Sequence, residues 1–74
     1  MKKQRVDSSI IESVSDRIKQ LRESKGISQE TFYIDTDIHI ARIESGKSNI
    51  TISTLSDICK YFNISLSEFF KEMN

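Results

Sequence analysis

Two apolar stripes at helical spacing constrain this chain more than any other feature. Ile11, Val14, Ile18 and Leu21 recur at intervals of 3, 4 and 3, and Ile52, Leu55, Cys59 and Phe62 repeat those intervals. Such spacing gathers each set on one face of an α-helix, whereas a strand would scatter it over both faces. Each face needs an apolar partner, so the chain must pack helix on helix. No proline interrupts either stripe. Gly26 and Gly46 follow helical segments, where glycine takes the left-handed conformation past a last turn.

The capping residues divide the chain into five helical segments, and nothing reads as a strand. The first spans about Ser8 to Lys25, with Ser8 or Ser9 as cap and Glu12 in the first turn. Ser28 caps the second, QETFYID, in which Phe32 and Tyr33 are expected to pack into the core. Thr36 is the candidate cap of the third, from Asp37 to about Glu44, with Ile40 and Ile43 as its apolar face. Thr51 caps the fourth. Ser65 opens the fifth, with Glu68 three residues on as a capping box. The expected fold is all-α, a compact five-helix bundle with the second and third helices paired as a helix-turn-helix.

A chain of 74 residues makes one domain. Residues 8–74 are expected to form it, with 1–7 as a loose tail. There is too little material to wall a substrate cleft, and no nucleophile–base pair is evident, so catalysis is not expected. Eleven basic and eleven acidic side chains cancel, which argues against a nucleic-acid partner. The distribution argues the other way, because residues 1 to 25 hold a net +3. Lone Cys59 cannot close an internal disulfide and fits a reducing interior. The start MKKQRVDSS lacks the apolar core of a signal peptide, and no run approaches the ~20 apolar residues of a membrane span. A cytoplasmic protein is expected. His39 has no second ligand at i+4 and no Cys/His cluster exists, so neither metal nor cofactor is expected.

Three segments carry a family resemblance. "RIKQLRESKGISQE", "IARIESGKSNITISTL" and "ISLSEFF" resemble the phage-repressor-type (Xre, lambda-repressor-like) helix-turn-helix DNA-binding proteins, over roughly Asp16 to Phe70. Several separate anchors occur in order, which a lone Arg-Ile-Glu would not provide. The resemblance implies a transcriptional regulator, most simply a repressor, that binds double-stranded DNA as a homodimer. Its operator would be pseudo-palindromic, with half-sites about one helical turn apart.

The resemblance also distributes tasks. Gln29, just inside the second helix, is matched to a phosphate contact. Ser45, Lys47, Ser48 and Asn49 are matched to the loop along the same DNA backbone. Arg22 and Glu44 are implied to be partners holding the first helix to the third. With Thr36 as cap and itself counted among the DNA-contacting residues, Asp37, Ile38 and Arg42 fall on the base-reading positions, with His39 beside them. Arg42 suits guanine O6 and N7, Ile38 a thymine methyl, and Asp37 a cytosine N4. Asp37 is equally a first-turn dipole stabiliser.

The stretch from Gln29 to Arg42 is about three residues shorter than the family pattern. The loss is placed in the second helix and its turn, because Thr36 makes a sensible cap for the third. The alternative, a third helix without its first turn, would remove the base-reading end. In the terminal helix, adjacent Phe69 and Phe70 lie ~100° apart, so one enters the core while the other faces outward. Phe70 with Met73 is the expected dimer interface. The neutral charge and Asp37 leave one rival of a different class. It is a protein-interaction module, such as an antitoxin-like partner of a toxin protein, with weak or no DNA binding.

Overall fold

A computed structural model of the chain describes residues 8–71 and Met73. The expected tail, residues 1–7, lies outside the described residues. Among these the regular elements are five helices: α1 (Ser8–Ser24), α2 (Gln29–Thr36), α3 (Ile40–Glu44), α4 (Ile52–Tyr61) and α5 (Leu66–Lys71).

Local chemistry explains most of the boundaries. At the end of α1, Gly26 takes φ 67°. There the Ile27 amide donates to the Arg22 carbonyl and the Gly26 amide to that of Glu23. This is the double hydrogen bond that closes a helix on a left-handed residue. Asn63 does the same for α4 with φ 60°, its own amide donating to Lys60 and that of Ile64 to Cys59. Ser28 and Thr51 accept the amides of Thr31 and Thr54 as N-caps. Ser65 and Glu68 exchange side chain-to-backbone bonds of 3.0 and 2.9 Å, a reciprocal capping box.

The helices close on one core. Val14, Ile18 and Leu21 of α1 meet Phe32, Ile40, Ile43, Leu55, Ile58, Phe62 and Phe69. Phe32 is fully buried between Tyr61, edge-on at 4.7 Å, and Phe62, stacked at 5.7 Å. Each large side chain so buried contributes about 1.5–3 kcal/mol relative to exposure. Cys59 is buried on the inner face of α4, and burial pushes its thiol above the ordinary range, which keeps it in the unreactive protonated form. Two expectations about this core need correction. Tyr33 is exposed rather than packed inside, because Phe32 alone of the pair points at α4. Ile52 is 67% exposed, since the apolar stripe of α4 reaches the core only from Leu55 onward.

The largest departure lies between α2 and α3. Thr36 is not the cap of α3 but the last residue of α2. Its hydroxyl donates back to the Phe32 carbonyl at 2.7 Å and accepts the Ile38 amide at 3.1 Å. Asp37 follows in the left-handed conformation, φ 63° and ψ 19°, with its amide on the Tyr33 carbonyl. The third helix therefore begins at Ile40 rather than Asp37, and His39 precedes it with no side-chain cap. The short link between Gln29 and Arg42 is met by a third helix without its expected first turn.

A helix of five residues cannot hold itself together in water. Three fixings hold α3 in place. Ile40 and Ile43 are buried. The Ser15 hydroxyl, inside α1, shares its proton between the carbonyls of Ile11 at 2.8 Å and Ile43 at 2.7 Å. Arg22 Nε and Nη2 grip Glu44 Oε2 and Oε1 at 2.6 and 2.9 Å, while Nη1 donates to the Ile27 carbonyl at 2.8 Å.

The Arg22 and Glu44 side chains are 10% and 4% exposed, so removing one leaves the other charge stranded. Breaking a buried pair on one side costs about 3–5 kcal/mol. A domain this small holds only about 5 kcal/mol in total. Arg22→Ala is therefore expected to lose most of its stability, with its melting temperature and urea midpoint by circular dichroism far below those of the parent. A melting temperature equal to that of the parent would sink the assignment of Arg22 as the tie between α1 and α3.

Candidate nucleic-acid interface

Six of the residues matched to DNA line one open groove of about 440 Å³ between the start of α3 and the start of α4: Asp37, Ile38, His39, Arg42, Ser48 and Asn49. Ile38, Ile43 and Ile50 supply the apolar part of its lining. Thr51 and Thr54 complete the far wall, and sequence reasoning did not single them out as site residues. Thr51 stood out only as a cap. Its hydroxyl donates to that of Thr54 at 2.9 Å, an i, i+3 pairing legible in principle from their spacing.

The remaining matched residues surround this groove unequally. Ser45 donates to the Arg42 carbonyl at 2.6 Å and receives the Lys47 amide at 3.4 Å, so it organises the loop. Lys47 and Arg42 are exposed. Among the described residues the one ion pair is Arg22–Glu44, so neither cation is held in one. Thr36 is half-buried, and its hydroxyl bonds to the Phe32 carbonyl and the Ile38 amide. Gln29 directs its side-chain amide to Glu44 Oε1 at 3.0 Å. Phe70 and Met73 lie elsewhere. Phe70 is exposed beside buried Phe69, whereas Met73 packs against the core.

The electrostatics of this region centre on Glu44. Burial alone pushes its carboxyl up, yet the hydrogen bonds from Arg22 and Gln29 and the charges of Arg22 and Lys19 outweigh that, and its pKa lies below the usual range. The Glu44 hydrogen bond in turn raises the Arg22 guanidinium further, against the opposing effect of burial. The arrangement clamps three helices at one carboxylate, with Arg22 from α1 and Gln29 from α2 meeting the last residue of α3.

Asp37 has a backbone reason for its place. A left-handed residue other than glycine costs about 1–2 kcal/mol, and aspartate is among the few side chains that tolerate it. Its carboxylate is exposed at the edge of the groove. A charge that DNA phosphates would repel thus stands where the chain needs a left-handed residue.

A family model described as Helix-turn-helix matches residues 18–69. That stretch contains the three-helix clamp and every residue lining the groove. No curated protein and no solved structure matches the chain. No described helix is long and apolar enough to cross a membrane.

Two outcomes follow from this geometry. Because the folded-state pKa of Glu44 lies below its unfolded value, its stabilisation is complete above about pH 4.3. It is lost as pH falls from there through the folded value. Melting temperature against pH should therefore drop on the acid side, and Glu44→Gln, destabilised at neutral pH, should show a shallower drop. Equal acid slopes in the two proteins would contradict this. At the left-handed position, Asp37→Asn and Asp37→Gly should melt within a few degrees of the parent, while Asp37→Val should lose about 1–2 kcal/mol. A valine variant as stable as the asparagine one would mean the turn is not left-handed in solution.

Proposed function

The chain belongs to the helix-turn-helix family, the Xre or lambda-repressor-like group of DNA-binding domains, and from that membership we propose that it is a sequence-specific repressor of transcription acting as a homodimer. The observation that carries the reading is the pair of exposed cations held in no ion pair, Arg42 on α3 and Lys47 in the loop after it, beside a groove edged by Ser48 and Asn49.

Arg42 lies in the only helical part of the reading element. A guanidinium there suits the O6 and N7 acceptors of guanine, a pairing worth about 1–3 kcal/mol of discrimination. Lys47, Ser45, Ser48 and Asn49 supply a charge and small donors to the phosphates, which fix register without reading sequence. Gln29 keeps a second amide hydrogen for the same backbone. Ile38 and His39 flank Arg42 and would meet neighbouring base pairs. Asp37 is assigned to the backbone rather than to a cytosine.

The shortness of α3 argues for two copies. A helix of five residues rises about 7.5 Å and offers one strong base-reading side chain. A regulator needs a specificity of about 4–10 kcal/mol over random DNA, which one such contact does not reach. A two-fold arrangement doubles the contacts and fits a pseudo-palindromic operator. Exposed Phe70 on α5 is the apolar side chain we assign to the contact between copies.

A second reading is favoured by the exposed Asp37 at the reading edge and by the neutral net charge. It makes the domain a protein-interaction module, such as the partner of a toxin protein. A salt series separates the two. For a DNA binder, log affinity should fall against log salt with a slope of about −0.9 per phosphate contact. Lys47→Ala should flatten that slope by about one contact, and Arg42→Ala should relax preference at one base position. Micromolar protein with no salt-dependent binding to random or genomic DNA at about 50 mM salt would favour the interaction module.

A further inference from the structure

The groove edge formed by Asp37, Ile38 and His39 is fastened from a place outside the groove. Tyr61, the last residue of α4, donates its hydroxyl to Asp35 Oδ2 at 2.6 Å. The Tyr61 ring meets Phe32 edge-on at 4.7 Å and Phe62 at 5.1 Å, so the phenol is aimed by packing. Asp35 adjoins Thr36, whose hydroxyl joins the Phe32 carbonyl to the Ile38 amide. One residue further, the Asp37 amide closes on the Tyr33 carbonyl at 2.7 Å. The Tyr33 ring lies 4.7 Å from that of His39. The Ile40 amide then returns to the Ile38 carbonyl at 2.8 Å. An unbroken run of contacts leads from Tyr61 to the first residue of α3.

That run has weight because α3 begins without a side-chain cap. Its direction of entry is set by the last turn of α2 and by Ile38 resting on the core. We infer that Tyr61 and Asp35 are positioning residues for DNA reading: their hydrogen bond orients the last turn of α2, and that turn places Ile38 and His39 beside Arg42. The inference rests on the assignment of this groove edge to DNA. Sequence discrimination would then depend on two side chains that touch no base.

The bond also has the right chemistry for a permanent fastening. The Asp35 carboxylate holds the Tyr61 phenol above its ordinary pKa, so the proton stays between the two oxygens throughout the physiological range. Both groups are solvent-accessible, and bonds of this kind contribute little to global stability. Removing the hydroxyl while keeping the ring therefore separates positioning from folding.

The test uses the full chain and an operator selected by the parent protein from random-sequence DNA. Affinities for that operator and for bulk random DNA are measured for the parent, Tyr61→Phe, Asp35→Ala, the double variant and Asp35→Asn. Tyr61→Phe and Asp35→Ala should each lower the operator-to-random ratio about three- to tenfold, and the double variant no further. The salt slope should be unchanged, because no phosphate contact is lost. Asp35→Asn retains an oxygen acceptor and should restore the ratio. Without DNA, amide exchange at Asp37 and Ile38 should quicken in Tyr61→Phe while that of α1 does not. Unchanged ratios in Tyr61→Phe and Asp35→Ala, with the parent still preferring its operator, overturn the positioning role alone. A parent protein with no sequence preference overturns the assignment of this edge to DNA, and the positioning role with it.

Discussion

The hydrogen-bonded fork between Arg22 and Glu44 is the interaction on which the rest of this domain depends. Three guanidinium donors leave Arg22, two for Glu44 and one for the Ile27 carbonyl in the turn after α1. The same turn is closed by Gly26, and Gln29 two residues beyond its end reaches the same carboxylate. One side chain thereby fixes where α1 stops, where α2 starts and where α3 ends. Such a tie is needed because α3 is too short to be helical on its own. Burial of Ile40 and Ile43 supplies the apolar half of its anchorage, and Ser15 supplies a hydrogen bond at the Ile43 carbonyl. A mid-helix serine bonded to two carbonyls is otherwise a poor choice for a buried position.

How much of this was legible in the sequence depends on the range of the interaction. Ser28, Thr51, Ser65 and Gly26 act on backbone within a few residues, and their identities announce the helix ends they make. Thr36 shows the limit of local reading. Its hydroxyl has two local solutions, capping the helix ahead or bonding back to the carbonyl four residues behind. The choice between them is made by Phe32, which α4 holds in the core. Ile52 shows a different limit. Periodicity assigns it to the stripe of α4, but not how far along that helix the core extends.

The candidate site was read in the same uneven way. Arg42, Ser48 and Asn49 came from a motif whose spacing is local, and they line one groove. The Tyr61–Asp35 bond spans 26 residues and joins two exposed polar side chains with no local signature. Total charge counts every side chain alike and does not say where each one stands. Arg22 and Glu44 are paired and largely buried, whereas Arg42 and Lys47 are exposed and in no ion pair among the described residues. A nucleic acid meets only the charges on the face it approaches.

The left-handed turn at Asp37 also bears on how such a domain could change its target. Position 37 admits a short alphabet, since only glycine, asparagine and aspartate take that backbone conformation without marked strain. Two of these three are uncharged and one has no side chain, so under the proposed DNA reading this position would adjust attraction to DNA more readily than base preference. Variation in the sites recognised would have to come from Ile38, His39 and Arg42, whose backbones impose no such restriction. A turn that shortens α3 thus also divides the residues proposed to read DNA into those free to diversify and one that is not.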